Sequence, residues 1–269
     1  MSTRSLEQQV ALNIARHDRI AAKYEARHGE IFNDVEQNRL RAALERARAL
    51  IRTGANPFKA LDVGCGSGNL TGHLLDLECS VVAADVSTGF LDLVRGRFRG
   101  RAVEPFRMNG RDLSELPDAS FDVVAAYSVL HHIPDYLAAL REFARICKPG
   151  GIVFLDHEMS ERFWQGDPVY EVFRKEAFRI DWKKYFTPGN YLHRLRRVFD
   201  PRHANEGDIH VWPDDHIEWR EVTVLFESLG FEVVLAEDYL LYRKLFRREV
   251  FERFRFRCSD TRLMVFRRS

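Results

Sequence analysis

The sequence predicts an α/β domain with a mostly parallel, doubly wound sheet covered by helices on both faces. Two observations carry this. Apolar runs near 59–63, 80–85, 103–108, 121–127 and 152–156 read as strands. They alternate with helical patterns near 68–77, 88–98 and 135–147. Strands that alternate with helices imply crossover connections and a parallel sheet. The second observation is local. The run Ala60-Leu-Asp-Val-Gly-Cys-Gly-Ser-Gly-Asn-Leu70 is a strand that breaks into three alternating glycines and then a helix. Ligands of such sheets bind at the carboxyl ends of the strands, near the switch in strand order.

In chain order, residues 5–53 are helix-rich, dominated by Ala, Arg, Glu and Leu without proline. Asn56-Pro57 marks entry to the first strand. Gly64, Gly66 and Gly68 then leave room for a ligand against bare backbone. The second strand ends at Asp85, where an acid can take both hydroxyls of a ribose. Residues 159–213 break the alternation with a run rich in aromatics, from Phe163 and Trp164 through Tyr170 and Phe173 to Trp212. This reads as a mainly helical cap able to wall a pocket, although packing onto the sheet explains the same aromatics. The pattern resumes with a helix over 215–229, with Asp215 suited to its N-cap. Strands at 231–236 and 263–266 bring the total to seven.

The ligand follows from the loop spacing. Dinucleotide binders use Gly-x-Gly-x-x-Gly and place a pyrophosphate at the helix N-terminus. Here the spacing is Gly-x-Gly-x-Gly, preceded by Asp62. An acid there repels a pyrophosphate but helps to hold an ammonium. S-adenosylmethionine (SAM) has an α-ammonium and no phosphate. At these residues the chain resembles the class I, Rossmann-like SAM-dependent methyltransferases, and in particular their small-molecule branch. Phe121-Asp-Val-Val-Ala-Ala-Tyr-Ser-Val-Leu-His-His-Ile-Pro-Asp135 is similar to that family's fourth strand and its exit. Leu140-Arg-Glu-Phe-Ala-Arg-Ile-Cys-Lys-Pro-Gly-Gly151 resembles the helix and turn leading to its fifth strand.

The resemblance implies a seven-stranded sheet whose last strand is antiparallel. It implies an N-terminal helical latch (1–56), a SAM-binding core (57–158), a cap insertion (159–213), and a C-terminal helix with closing strands (214–269). The implied cofactor site comprises Asp62, Gly64, Gly66, Gly68, Asp85, Val86 and Ser128, with Asp112 and Leu113 in the adenine loop after the third strand. The implied reaction is in-line methyl transfer, in which holding the nucleophile close does most of the work. A base helps when the acceptor is a hydroxyl. In some members the first histidine of the Leu-His-His motif has that role, paired with a tyrosine of the latch. Here those residues are His131 and Tyr24. His132 is the alternative base, and a third reading has His131 shaping the pocket only. Asp156, His157 and Glu158, after the fifth strand, either orient an acceptor hydroxyl or cap the strand exit in solvent. Metal-dependent relatives carry aspartate at the fourth strand's end and Asp-Asn near the fifth. This chain has Ser128 and Asp156-His157, so no catalytic metal is expected, although Asp156, His157 and Glu158 are residue types able to bind one.

The expected activity is therefore O-methylation of a small-molecule, sugar or lipid-linked acceptor, with N- or C-methylation as alternatives. A nicotinamide oxidoreductase would want a different glycine spacing and often Tyr-x-x-x-Lys, and no tyrosine here has lysine four residues on. Amino-methylating nucleic-acid enzymes carry Asn/Asp-Pro-Pro-Tyr/Phe where this chain reads Ser128-Val-Leu-His. The balance of 41 basic and 40 acidic residues likewise argues against nucleic acid. Four cysteines without a Cys-x-x-Cys pair fit a reduced compartment. The polar N-terminus and the lack of an apolar run near the ~20 residues needed to span a bilayer point to the cytoplasm. Residues 240–257 carry seven basic and two acidic residues among aromatics. They read as a solvated amphipathic helix between the last two strands, or as a contact for an anionic lipid or membrane surface.

Overall fold

The computed structural model describes residues 28–178 and 216–269. Helix α1 (Asp34–Arg48) starts at Asn33, whose side chain accepts a hydrogen bond from the Glu36 N–H. Acids in its first turn and arginines in its last complement the helix dipole. There follow β1 (Lys59–Val63), α2 (Asn69–Asp76), β2 (Ser80–Asp85), α3 (Thr88–Arg97), β3 (Val103–Arg107), β4 (Phe121–Tyr127), α4 (Tyr136–Ile146) and β5 (Cys147–Met159). These lie close to the expected positions, except that β5 begins at Cys147. Pairing jumps from Phe121 opposite Cys147 to Val123 opposite Ile152. Lys148–Gly151 is thus a bulge inside the strand rather than a turn before it.

The described part of the cap is α5 (Glu161–Gln165) and α6 (Pro168–Ala177). The chain closes with α7 (Trp219–Ser228), β6 (Phe231–Tyr239), α8 (Arg248–Phe254) and β7 (Thr261–Arg268). The helix expected from 215 starts at Trp219, with Glu218 at the N-cap position. The cause is Trp219 itself, which is buried and donates its indole N–H to the Met159 carbonyl at 2.8 Å. Asp215 lies outside the described residues.

The sheet order is β3-β2-β1-β4-β5-β7-β6, with β7 antiparallel to both neighbours and the other pairs parallel. Strand order reverses between β1 and β4. Alternate residues feed two cores. Leu61, Val63, Val124, Val153 and Leu155 meet Phe143 of α4 and Trp219 and Phe226 of α7 on one face. Ala60, Ala83, Val123, Ile152 and Phe154 meet Leu40 and Leu44 of α1, Leu74 of α2 and Val94 of α3 on the other. A third cluster joins Tyr170 and Phe173 of α6 to Phe246, Val250, Phe251 and Phe254. Tyr170 and Phe173 therefore pack a core, while Trp164 and Phe178 stay exposed. The aromatics expected in the later cap, including Trp212, lie outside the described residues.

Candidate active site

Each glycine of the loop after β1 has its own physical reason. All three have positive φ: 68° at Gly64, 51° at Gly66 and 89° at Gly68. A Cβ at Gly64 would sit 2.7 Å from a Val129 methyl, and one at Gly68 would sit 2.6 Å from the Phe98 ring. At Gly66 a Cβ would meet nothing within 4 Å. Gly64 and Gly68 are thus small because protein lies against them, whereas Gly66 opens into a cleft.

That cleft has a volume of about 250 Å³. Of the expected cofactor residues, Gly64, Gly66, Asp85, Val86, Asp112, Leu113 and Ser128 line it. Asp85 is buried. One carboxylate oxygen accepts the Gly66 N–H at 2.9 Å and the other accepts the Ser87 N–H at 2.8 Å. The acid is thereby fixed at the cleft's edge, with acceptor capacity left for a diol. Sequence reasoning missed the apolar wall of Phe90, Met108, Ile133 and Phe143. These residues fall just beyond strand ends or on the following helices, a pattern that any packed helix shares. Asp112 spends its carboxylate on a local turn. Burial is nil and its pKa is pulled to about 2 by the Ser114 hydroxyl, then the Asn109 amide and the Ser114 N–H.

Asp62 lies beneath the loop. It borders a smaller cleft of about 30 Å³ that also touches Gly64, Gly66, Cys65 and Tyr127. Burial pushes its pKa up to about 7, against the opposing hydrogen bond from the Thr71 hydroxyl at 2.6 Å. The folded state therefore holds this proton more tightly than the unfolded chain, whose aspartate ionises near ~4. The stability it contributes is full below that value and is lost as pH rises toward 7. Asp62→Asn should retain the Thr71 bond and remove this loss. In ligand-free protein its melting-temperature advantage over the parent should grow from about pH 5 to about pH 8, by a few degrees per kcal/mol. Equal pH dependence in both proteins would show that Asp62 ionises normally. Its SAM affinity should fall at the same time.

At the exit of β4 the chain forms a 3₁₀ turn, Leu130–His132. Glu158 organises it. One oxygen accepts the N–H groups of Val129 and Leu130 at 2.8 and 2.7 Å, and the other meets His131 Nδ1 at 2.7 Å. Burial alone would raise the Glu158 pKa, but the His131 charge, its hydrogen bond and the two backbone N–H groups lower it. The carboxylate accepts only, so His131 donates from Nδ1. His132, its ring 4.1 Å from that of His131, lines the main cleft, which His131 does not touch.

Asp156, His157 and Glu158, expected after the fifth strand, lie inside β5, where a register shift between Leu155 and Glu158 separates them. Neither carboxylate caps the strand in solvent, since both are buried. Glu158 faces the β4 turn. Asp156 points under α1, where Arg39 Nη2 donates to it at 2.7 Å and the Tyr239 hydroxyl at 3.0 Å. Arg39 also pairs with Glu36, which accepts the Tyr127 hydroxyl at 2.8 Å. Burial would raise Glu36, but Arg39 and His157 together outweigh it and bring the pKa down to about 2. His157 sits in a bulge with φ 65°, its ring 4.7 Å from Tyr127 and its Nδ1 3.6 Å from Glu36. Among the described residues no three His, Cys, Asp or Glu side chains converge to hold a metal ion. Tyr24 lies outside the described residues. So does His210. His216 stacks at 4.9 Å on Trp164, away from these groups.

A glycine loop into an open cleft, a buried acid at the end of β2 and a β7 inserted antiparallel are features of the Rossmann-like methyltransferase fold. The comparisons agree. Residues 61–155 match the methyltransferase domain family. A ubiquinone biosynthesis O-methyltransferase of Pseudomonas aeruginosa is 31% identical over 146 residues, 53% of this chain and 60% of that enzyme. The chain thus spans under two thirds of the curated relatives it matches. A SAM-dependent methyltransferase from Mesorhizobium loti superposes with a TM-score of 0.54 at 20% identity, covering 84% of this chain and 98% of that one. The [4+2]-cyclase SpnF superposes at 0.59 with 16% identity, covering 97% and 95%. These two likenesses show the fold alone. The match to a methyltransferase domain thus covers residues 61–155, within a chain of the Rossmann-like methyltransferase fold. No described helix is long and apolar enough to cross a membrane.

Proposed function

We propose that this chain transfers a methyl group from SAM to a hydroxyl of a small-molecule acceptor. A fold shared with a cyclase does not decide the chemistry, so the argument rests on the site. The observation that carries it is the β4 turn. There a histidine held by a buried carboxylate stands at the strand exit beside the wall of the cofactor cleft. The residues fit SAM: Gly66 leaves the cleft open, Asp85 is set for the ribose hydroxyls, and the apolar wall of Leu113, Met108 and Phe143 suits an adenine. SAM supplies an activated methyl, so the chain need not activate the electrophile. Its own tasks are to hold the acceptor oxygen in line and to remove its proton. Glu158 keeps the His131 ring in one tautomer, and Nε2 takes the proton. The similarity to ubiquinone biosynthesis O-methyltransferases supports oxygen over nitrogen or carbon, while small, sugar and lipid-linked acceptors are separated only by assay.

Calorimetry with SAM, S-adenosylhomocysteine and NAD tests the cofactor. Binding of the two adenosyl ligands without NAD is expected, and NAD binding alone would sink the proposal. Asp85→Ala should weaken SAM by about 1.5–3 kcal/mol, the scale of hydrogen bonds to a charged group. An unchanged affinity places the ribose elsewhere. Methyl-labelled SAM incubated with small-molecule, glycan and lipid extracts identifies the acceptor class.

A further inference from the structure

We propose that Phe256 and the arginines around it form a docking surface for an anionic lipid bilayer, on the same edge of the sheet as the ligand cleft. Phe256 is 89% exposed, the most exposed large apolar side chain among the described residues. It follows α8, whose other face is anchored. Val250, Phe251 and Phe254 are buried against Tyr170 and Phe173. The exposed ring therefore projects from a packed base and not from a loose loop.

The segment that carries it has an excess of basic charge. Residues 240–257 hold seven basic and two acidic side chains, against 34 basic and 38 acidic in the rest of the chain. Arg248 pairs with Asp34, Arg253 with Glu176 and Arg255 with Glu252. Guanidinium groups also lie over aromatic rings: Arg255 is 4.9 Å from the Phe256 centroid, and Arg257 is 5.1 Å from that of Phe254. A projecting aromatic with exposed arginines at its base suits a bilayer interface, where the ring enters the acyl boundary and the cations meet lipid phosphates. Such a surface attracts anionic lipid and leaves neutral lipid largely alone.

Placement gives the surface a use. β6 runs parallel to β5 because both are antiparallel to β7. The 240–260 connection therefore leaves β6 at the carboxyl edge, and Thr261 pairs with both Tyr239 and Met159. The Gly64–Gly68 loop and the His131 turn follow β1 and β4 at that edge. A bilayer held by Phe256 would lie at the sheet edge that carries that loop and that turn.

The test uses the full chain sedimented with vesicles of phosphatidylcholine alone, or of phosphatidylcholine mixed with phosphatidylglycerol. Binding is expected to the mixed vesicles only, and it should weaken as salt is raised. Phe256→Glu should lower the bound fraction at least roughly fivefold, and Arg255→Glu combined with Arg257→Glu by a similar factor. Neither should change the melting temperature or SAM affinity. Phe256→Trp should give blue-shifted emission on the mixed vesicles. No binding, equal binding to neutral vesicles, or full binding by Phe256→Glu would overturn the proposal; the last would mark a general polyanion surface. Vesicle binding by a chain that fails to bind SAM would keep the docking surface and reject the methyltransferase reading.

Discussion

His131→Ala is expected to lower kcat at least about 10²-fold while SAM affinity stays within about twofold. A positioned base contributes typically 10²–10⁴-fold when the acceptor proton must leave. The size of the loss depends on how well the ring is held, and here Glu158 holds it at 2.7 Å from a buried carboxylate. Glu158→Gln is the informative companion. Its amide oxygen can still accept one or both of the Val129 and Leu130 N–H groups, so the turn persists, but the charge behind His131 is gone. It should therefore fall between the parent and His131→Ala. Single-turnover kinetics with labelled SAM separates chemistry from binding. Near-normal kcat in His131→Ala would mean that proximity alone drives transfer. A large loss in His132→Ala instead would move the base to the histidine that lines the cleft.

Gly64→Ala is expected to weaken SAM binding by more than tenfold and to lower the melting temperature. Two costs add. The left-handed conformation at φ 68° costs an alanine roughly 1–2 kcal/mol. The new methyl would also lie 2.7 and 2.9 Å from the two Val129 methyls, a clash that costs typically 1–3 kcal/mol to relieve. Relief moves Val129, which borders the cleft and begins the turn that carries His131. Adding Val129→Ala should restore part of the stability, and a double-mutant cycle measures how much. Gly66→Ala should behave differently. It meets no atom within 4 Å, so it bears only the conformational cost in the folded chain and loses SAM affinity by filling the cleft. Equal melting temperatures for Gly64→Ala and the parent would refute the packing argument.

The fold was legible where local chemistry and global topology agree. Apolar runs located β1, β2 and β4 to the residue, because a buried parallel strand is largely apolar. β5 was read late because its first residues, Lys148-Pro-Gly-Gly, look like a turn. Only the partner strand shows that they are a bulge. That Gly64, Gly66 and Asp85 would line one cleft was readable, since each stands at the end of a strand of a parallel sheet. The acid–base side was not, because it depends on contacts between distant residues. Nothing in the order Asp156-His157-Glu158 says that the first acid goes beneath α1 to Arg39 and the third across to His131. The bulge at His157 sends them to opposite sides.

The ion network beneath α1 also bears on where this chain can be cut. A fragment that starts at the first strand looks complete on paper, since the sheet and every glycine of the loop remain. It would, however, leave Asp156 without Arg39 and Tyr127 without Glu36. Leu40, Ala43, Leu44 and Ala47 would be stripped from one face of the sheet. The smallest expressible piece must therefore begin upstream of Asn33, so that the segment before Lys59 counts as scaffold. For grafting or domain fusion, the usable N-terminal joint lies ahead of that cap.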